Sequence, residues 1–176
     1  MSGTTSSDLR GFIRDIPDFP IPGIMYRDIT PLLASHQAFR ESIRIFSQRF
    51  CDTGIDVICA AEARGFIFAA PLALELSIGF VPIRKPGKLP ADKHSHDYEL
   101  EYGTDTLEVH TDGVSAGQRV LVVDDLLATG GTVDACCQLI EKAGAEIVCC
   151  AFLIELMALQ GRQRIAPRDV FSIIPY

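Results

Sequence analysis

Two adjacent carboxylates, Asp124 and Asp125, stand between the apolar run Val120-Leu121-Val122-Val123 and the small, hydroxyl-bearing stretch Ala128-Thr129-Gly130-Gly131-Thr132. The apolar run reads as a strand buried on both faces, as in a parallel sheet. The acid pair ends that run, where open α/β sheets place their ligands. In the stretch that follows, backbone N–H groups can turn inward on an anion. Val133, Cys136, Cys137 and Ile140 then recur at helical spacing, with Gly144 as a stop. The loop therefore lies at a helix N-terminus, which favours a bound phosphate. No Gly-x-x-x-x-Gly-Lys-Ser/Thr or Gly-x-Gly-x-x-Gly run occurs, so neither a nucleoside-triphosphate loop nor a dinucleotide fold has its fingerprint. Two carboxylates beside a phosphate cradle suit a sugar phosphate: Asp124 and Asp125 accept from vicinal hydroxyls while the loop holds the phosphate.

A second constellation repeats the design. Residues 55–61 read as a buried strand that runs into Glu62-Ala63-Arg64-Gly65-Phe66 and an apolar helix over 67–76. Arg64 can engage a phosphate bidentately, or be a surface arginine on a strand-to-helix loop. Phe80-Val81-Pro82-Ile83 is the next strand and leads into Arg84-Lys85-Pro86-Gly87-Lys88-Leu89-Pro90, three cations within five residues. This run is either the place for a pyrophosphate or a solvated basic loop. It opens a long polar segment that reads as a mobile loop between strands, and long loops in compact domains are often lids. His94-Ser95-His96 lacks a third metal ligand nearby. Glu101 reads as an exposed strand residue or as a general acid toward a nitrogen base, the exposed residue being the favoured reading from the residues alone.

The remaining elements must hold these groups in place. A helix is predicted over residues 8–16, capped by Ser7, with Leu9, Phe12, Ile13 and Ile16 on one face. Three prolines between Pro17 and Pro22 make the next segment stiff. An extended stretch over 24–29 and a helix over 37–50 follow, then the strand 106–110 before the acid-pair strand, and strands over 146–154 and 170–174 after it. Strands alternating with helices mean an α/β fold with a mostly parallel central sheet flanked by helices. At 176 residues the chain is expected to be a single domain. A formal net charge of −7 argues against nucleic acid or an anionic membrane as the main partner. The polar opening Met-Ser-Gly-Thr-Thr-Ser-Ser does not have the form of a secretory signal, and no run of about 18 apolar residues occurs. None of the six cysteines forms Cys-x-x-Cys, and most read as small buried thiols. A cytoplasmic protein is the expectation.

Residues 120–132 resemble the phosphoribosyl pyrophosphate (PRPP) signature of type I phosphoribosyltransferases. With Phe19-Pro20-Ile21-Pro22-Gly23, Tyr26-Arg27-Asp28, Glu62-Ala63-Arg64-Gly65, the run Arg84 to Pro90, and Tyr98 to Gly103, the resemblance covers roughly residues 10–160 and narrows to adenine phosphoribosyltransferases. It implies the type I phosphoribosyltransferase fold, with a small N-terminal hood over about residues 8–32 and a flexible lid over about 84–103. It further implies the Mg²⁺-dependent conversion of adenine and PRPP to AMP and pyrophosphate in purine salvage, by a homodimer. In that resemblance Asp124, Asp125 and Ala128, Thr129, Gly130, Gly131 and Thr132 hold the ribose and its 5′-phosphate. Ala63, Arg64 and Gly65, with Lys88 and Arg84, take the pyrophosphate, the Ala63–Gly65 loop often containing a cis peptide and Arg84 reaching the neighbouring subunit. Met25, Tyr26 and Arg27 and the backbone near Leu156 hold adenine. Glu101 handles the purine proton, Tyr102 belongs to the lid, and Mg²⁺ is held mainly by PRPP and pyrophosphate rather than by the protein. A phosphoribosyltransferase for another purine base would share residues 120–132, as would a non-catalytic PRPP sensor.

Overall fold

A computed structural model describes residues 9–99 and 104–176. Contacts divide the chain into two compact units, Met1–Ile45 and Phe46–Tyr176.

In the first unit, β1 (Arg14–Pro17) pairs antiparallel with β2 (Met25–Asp28), Ile16 opposite Tyr26. The helix expected over 8–16 therefore does not extend that far. Among the described residues only Leu9 and Arg10 are helical, a turn at Gly11-Phe12 follows, and the β-branched Ile13 and Ile16 lie in the extended segment. The proline-rich connection folds back on itself: Asp18 accepts the Gly23 N–H at 2.7 Å, and Gly23 sits at φ +88°. Asp28 receives the Thr30 N–H (2.9 Å) and hydroxyl (2.8 Å) and so starts α1 (Thr30–Ala34), with Pro31 in its first turn.

α2 (His36–Phe50) leads into the second unit. There Phe46 meets Phe68 and Phe171 edge-on at centroid distances of 6.4 and 6.1 Å. This unit is built on a five-stranded sheet in the order β4-β3-β7-β8-β9, every neighbouring pair parallel. Its strands are β3 (Val57–Ala61), β4 (Gly79–Ile83), β7 (Arg119–Leu127), β8 (Glu146–Glu155) and β9 (Val170–Pro175). α3 (Gly65–Leu76) and α4 (Gly131–Lys142) are its long crossover helices, and a short α5 (Gly161–Ile165) precedes β9. The sheet fits the sequence because β3, β7 and β8 are nearly continuous apolar runs, buried on both faces. From β3 the chain steps outward to β4, and from β7 outward the other way to β8 and β9. The order thus reverses between β3 and β7, which opens a crevice at their carboxyl ends.

Two further findings depart from the sequence reading. β7 continues through the acid pair to Leu127, because its ladder with β8 runs on to Leu127 opposite Glu155. The segment read as a long loop contains β5 (Lys93–Glu99), a hairpin arm paired antiparallel with β6 (Thr104–His110). His94, His96 and Tyr98 form its more buried face, so the His-Ser-His pattern is strand alternation.

Each end of the sheet is tied. At the amino end, Arg119 hydrogen-bonds the carbonyls of Gly54 (2.9 Å) and Thr53 (3.3 Å) and pairs with Glu146 at 3.2 Å. At the carboxyl end, buried Glu155 receives Arg162 on both oxygens (2.5 and 2.7 Å) and the Ser172 hydroxyl at 2.6 Å. Burial alone would raise the Glu155 carboxyl, but Arg162 and Ser172 outweigh it and hold it below its ordinary value of 4.5. A lowered carboxylate pKa contributes stability that is present above the unfolded value and lost as pH falls through the folded one. We therefore predict that Glu155→Gln lowers Tm at neutral pH and that the deficit narrows as pH drops below 4.5. A deficit independent of pH in thermal melts would contradict this.

Candidate active site

The crevice between the ends of β3 and β7 is a cavity of about 490 Å³, lined by Glu62, Ala63 and Arg64 on one side and residues 124–133 on the other. The pleat sends the side chains of Asp124 and Asp125 to opposite faces of the sheet, and the two are not equivalent. Asp125 is 5% exposed and receives the Arg64 Nε–H at 2.6 Å. Asp124 accepts the Asp125 N–H at 2.9 Å. Burial pushes the Asp124 carboxyl well above the ordinary carboxylate range, and the neighbouring Asp125 charge adds to it, while Arg64 opposes. Arg64 comes from a turn whose Glu62–Ala63 peptide is cis, just ahead of α3. Gly65 makes this approach possible: a Cβ there would stand 2.9 Å from the Val123 carbonyl oxygen and 3.0 Å from Asp124 Oδ1.

Beyond the acids, Gly130 adopts φ +85° and turns the chain into α4, whose first turn has no side-chain cap. Its leading N–H groups are therefore available to an anion. The loop is held from behind by α5. A Cβ on Gly161 would collide with the Ala128 carbonyl, and one on Gly130 would stand 2.8 Å from the Gly161 carbonyl oxygen.

The basic run emerging from β4 is an ordered arch. Arg84 Nε–H donates to Glu62 Oε2 at 2.8 Å, and the Lys85 N–H reaches the same oxygen at 3.0 Å. The Lys85 N–H first, then Arg84, hold the Glu62 carboxyl below its usual range. Lys85 Nζ pairs with Asp105 at 3.2 Å and Lys93 Nζ with Glu108 at 3.0 Å. Among the described residues, Lys88 is the cation of this segment with no carboxylate within ion-pair distance.

The expected site residues thus divide. Ala63, Arg64, Asp124, Asp125 and Ala128 to Thr132 line one cavity, and Arg84 joins it through Glu62. Leu156 donates its N–H to the Leu127 carbonyl at 2.9 Å, which fixes it at the level where the phosphate loop begins. Met25, Tyr26 and Arg27 lie on β2 of the first unit, Tyr26 packed edge-on against Phe19 at 5.1 Å and Arg27 paired with Asp15. Glu101 and Tyr102 fall outside the described residues. Three residues to which the sequence reading gave no role come forward: Glu62, Glu108 and Tyr98, whose hydroxyl donates to Asp105 Oδ2 at 3.4 Å. Glu62, beside Arg64 in a charged turn, and Tyr98, at the start of the Tyr98–Gly103 run, carried a sequence signal; Glu108 did not. Among the described residues, no three His, Cys, Asp or Glu side chains are placed to hold a metal ion.

Residues 28–176 match the phosphoribosyl transferase domain model. The chain is 62% identical, over 96% of its own length and 82% of the relative's, to adenine phosphoribosyltransferase of Rhodopirellula baltica. The crystal structure of the Thermoanaerobacter pseudethanolicus adenine phosphoribosyltransferase superposes with a TM-score of 0.95 at 50% identity, covering 98% of this chain and all of that one. That of the Saccharomyces cerevisiae enzyme, complexed with D-2,5-dideoxy-2,5-imino-altritol 1,6-bisphosphate and adenine, gives 0.91 at 37% identity, covering 96% of this chain and 97% of that one. With the acid pair, phosphate loop and arginine turn converging on one crevice of a sheet that matches these structures along nearly its whole length, the chain belongs to the adenine phosphoribosyltransferase family.

Proposed function

We propose that this protein transfers the 5-phosphoribosyl group of PRPP to adenine, giving AMP and pyrophosphate in purine salvage. The observation that carries the reading is the single crevice in which Asp125–Arg64 faces the Ala128–Thr132 loop. A relative solved with an imino-sugar bisphosphate and adenine supports the same ligand chemistry.

Displacement at the anomeric carbon passes through an oxocarbenium-like state, so no protein nucleophile is needed. Ala128 to Thr132 hold the 5′-phosphate on backbone N–H groups and hydroxyls. Asp124 and Asp125 orient the ribose hydroxyls, and the Asp125 carboxylate places negative charge near the developing cation. As the hydroxyls take over Asp125, Arg64 becomes available to the diphosphate, together with Ala63 and Gly65, Lys88 and Arg84. Met25, Tyr26, Arg27 and Leu156 hold adenine. Glu101 moves the purine proton, a contribution typically worth about 10²–10⁴ in rate. The lid, with Tyr102, excludes water from the activated sugar. Mg²⁺ would be held chiefly by diphosphate oxygens, which fits a pocket whose two acids are already engaged and an ion that favours phosphates and water. When bound, it would neutralise charge on the leaving group.

A homodimer belongs to this reading. α3 carries a single charged residue, Glu75, and leaves Phe66, Ile67 and Pro71 only half-buried and Leu74 82% exposed. An all-round apolar helix is ordinarily covered, and a second copy is the cover we infer. Cytoplasmic residence is inferred from the unpaired cysteines; burial pushes the Cys59 thiol up to about 12 and leaves it inert. No helix among the described residues is long and apolar enough to cross a membrane.

Four measurements test these statements. Pyrophosphate release from Mg²⁺-PRPP is expected with adenine and not with hypoxanthine, guanine or xanthine; turnover of an oxopurine instead would overturn the base assignment. Asp125→Asn is expected to lower kcat/KM for PRPP in a folded protein, whereas Glu101→Gln lowers kcat more than it raises adenine KM. If Glu101→Gln moved KM alone, the residue would bind the base rather than move a proton. Sedimentation equilibrium should return twice the chain mass of 19.2 kDa, and a monomer mass would remove the dimer.

A further inference from the structure

Glu108 is a buried carboxylate that none of the chemistry above uses. It lies on β6, 6% exposed, and its side chain gathers the basic arch. Glu108 Oε2 accepts the Gly87 N–H at 3.2 Å and pairs with Lys93 Nζ at 3.0 Å, and the Ser95 hydroxyl stands 3.5 Å from Oε1. Its backbone forms a two-way bridge with Arg84, both N–H···O distances 2.8 Å. The far foot of the arch is fixed by the Thr111 N–H on the Asp92 carbonyl at 3.0 Å. Between these feet Lys85 to Lys88 are exposed, and Leu89 turns back into the interior.

Gly87 sits at φ +77° with nothing within 4 Å of where a Cβ would be, so no side chain packs against the turn at Gly87 itself. The Glu108 carboxylate is what fixes it, immediately before Lys88. We propose that Glu108 is a positioning residue for PRPP: through the Gly87 N–H and Lys93 it sets the pose from which Lys88 and Arg84 meet the diphosphate. This rests on reading Lys88 as a diphosphate ligand.

A buried carboxylate bonded to an N–H and an ammonium group defines the arch in a way its exposed residues cannot. The test uses Glu108→Ala and Glu108→Gln, the latter keeping an acceptor for the Gly87 N–H. Glu108→Ala should raise KM for PRPP and the inhibition constant of pyrophosphate about tenfold, the scale of one charge-assisted hydrogen bond. The adenine KM should stay put. Glu108→Gln should recover part of the loss. Trypsin cleavage after Lys88 should quicken in Glu108→Ala and slow again with PRPP. A variant that melts earlier yet keeps its PRPP KM, its pyrophosphate inhibition and its cleavage rate would reduce Glu108 to a structural residue and overturn the proposal. So would equal losses for both substrates. If the unsubstituted protein did not turn over adenine with PRPP, the functional reading would fail instead, and the cleavage rates would still report on the arch.

Discussion

The contact on which the site turns is the 2.6 Å ion pair between Arg64 and Asp125. It joins residues 61 apart in sequence, which meet because β3 and β7 are neighbours at the reversal of strand order. A carboxylate buried as deeply as Asp125 requires a partner, and Arg64 supplies it from the turn after β3. Both groups are also those a sugar diphosphate would want, one for hydroxyls and one for phosphate oxygens. On the proposed reading, the same pairing that makes the folded pocket tolerable holds two ligand groups in place, ready to exchange partners.

The rest of the second unit keeps that crevice in shape. Behind the phosphate loop, Glu155, Arg162 and Ser172 lock the end of β8 to β9, and the bare α-carbon of Gly161 lets α5 press against Ala128. Arg168 ties α4 from outside through Glu141 (2.7 and 2.8 Å) and Asp134 (3.1 Å). The Arg119 cluster does the equivalent work at the other end of the sheet, far along β7 from the acids. Such separated clamps act nearly independently.

Much of this was legible in the chain. The Ala128–Thr132 loop stood out by composition, the parallel strands by unbroken apolar runs, and the arginine turn by its place after one of them. The misreadings have physical causes. Over Leu9 to Ile16 the apolar spacing satisfies a helix, but pairing with Met25–Asp28 decides in favour of a strand. Lys93–Glu99 is too polar to be recognised as a strand without its partner, since its ladder is supplied by β6. β7 runs through Asp124 and Asp125 because β8 extends the ladder beside it, which no local propensity records. The anchoring of the basic run by Glu108 depends on a contact between residues 21 apart, Gly87 and Glu108, and nothing in the spacing encodes it.

The pairing within the arch also bears on how a polyanion arrives. Arg84, Lys85 and Lys93 are each matched to a carboxylate, Glu62, Asp105 and Glu108, which among the described residues leaves Lys88 as the cation of the arch outside an ion pair, in a chain of net charge −7. Seen from beyond a Debye length of about 8 Å, such a surface offers an incoming polyanion little attraction. Capture then depends on short-range exchange of ion pairs after contact rather than on long-range steering. Association should accordingly be slower than the electrostatically guided limit and only weakly sensitive to ionic strength.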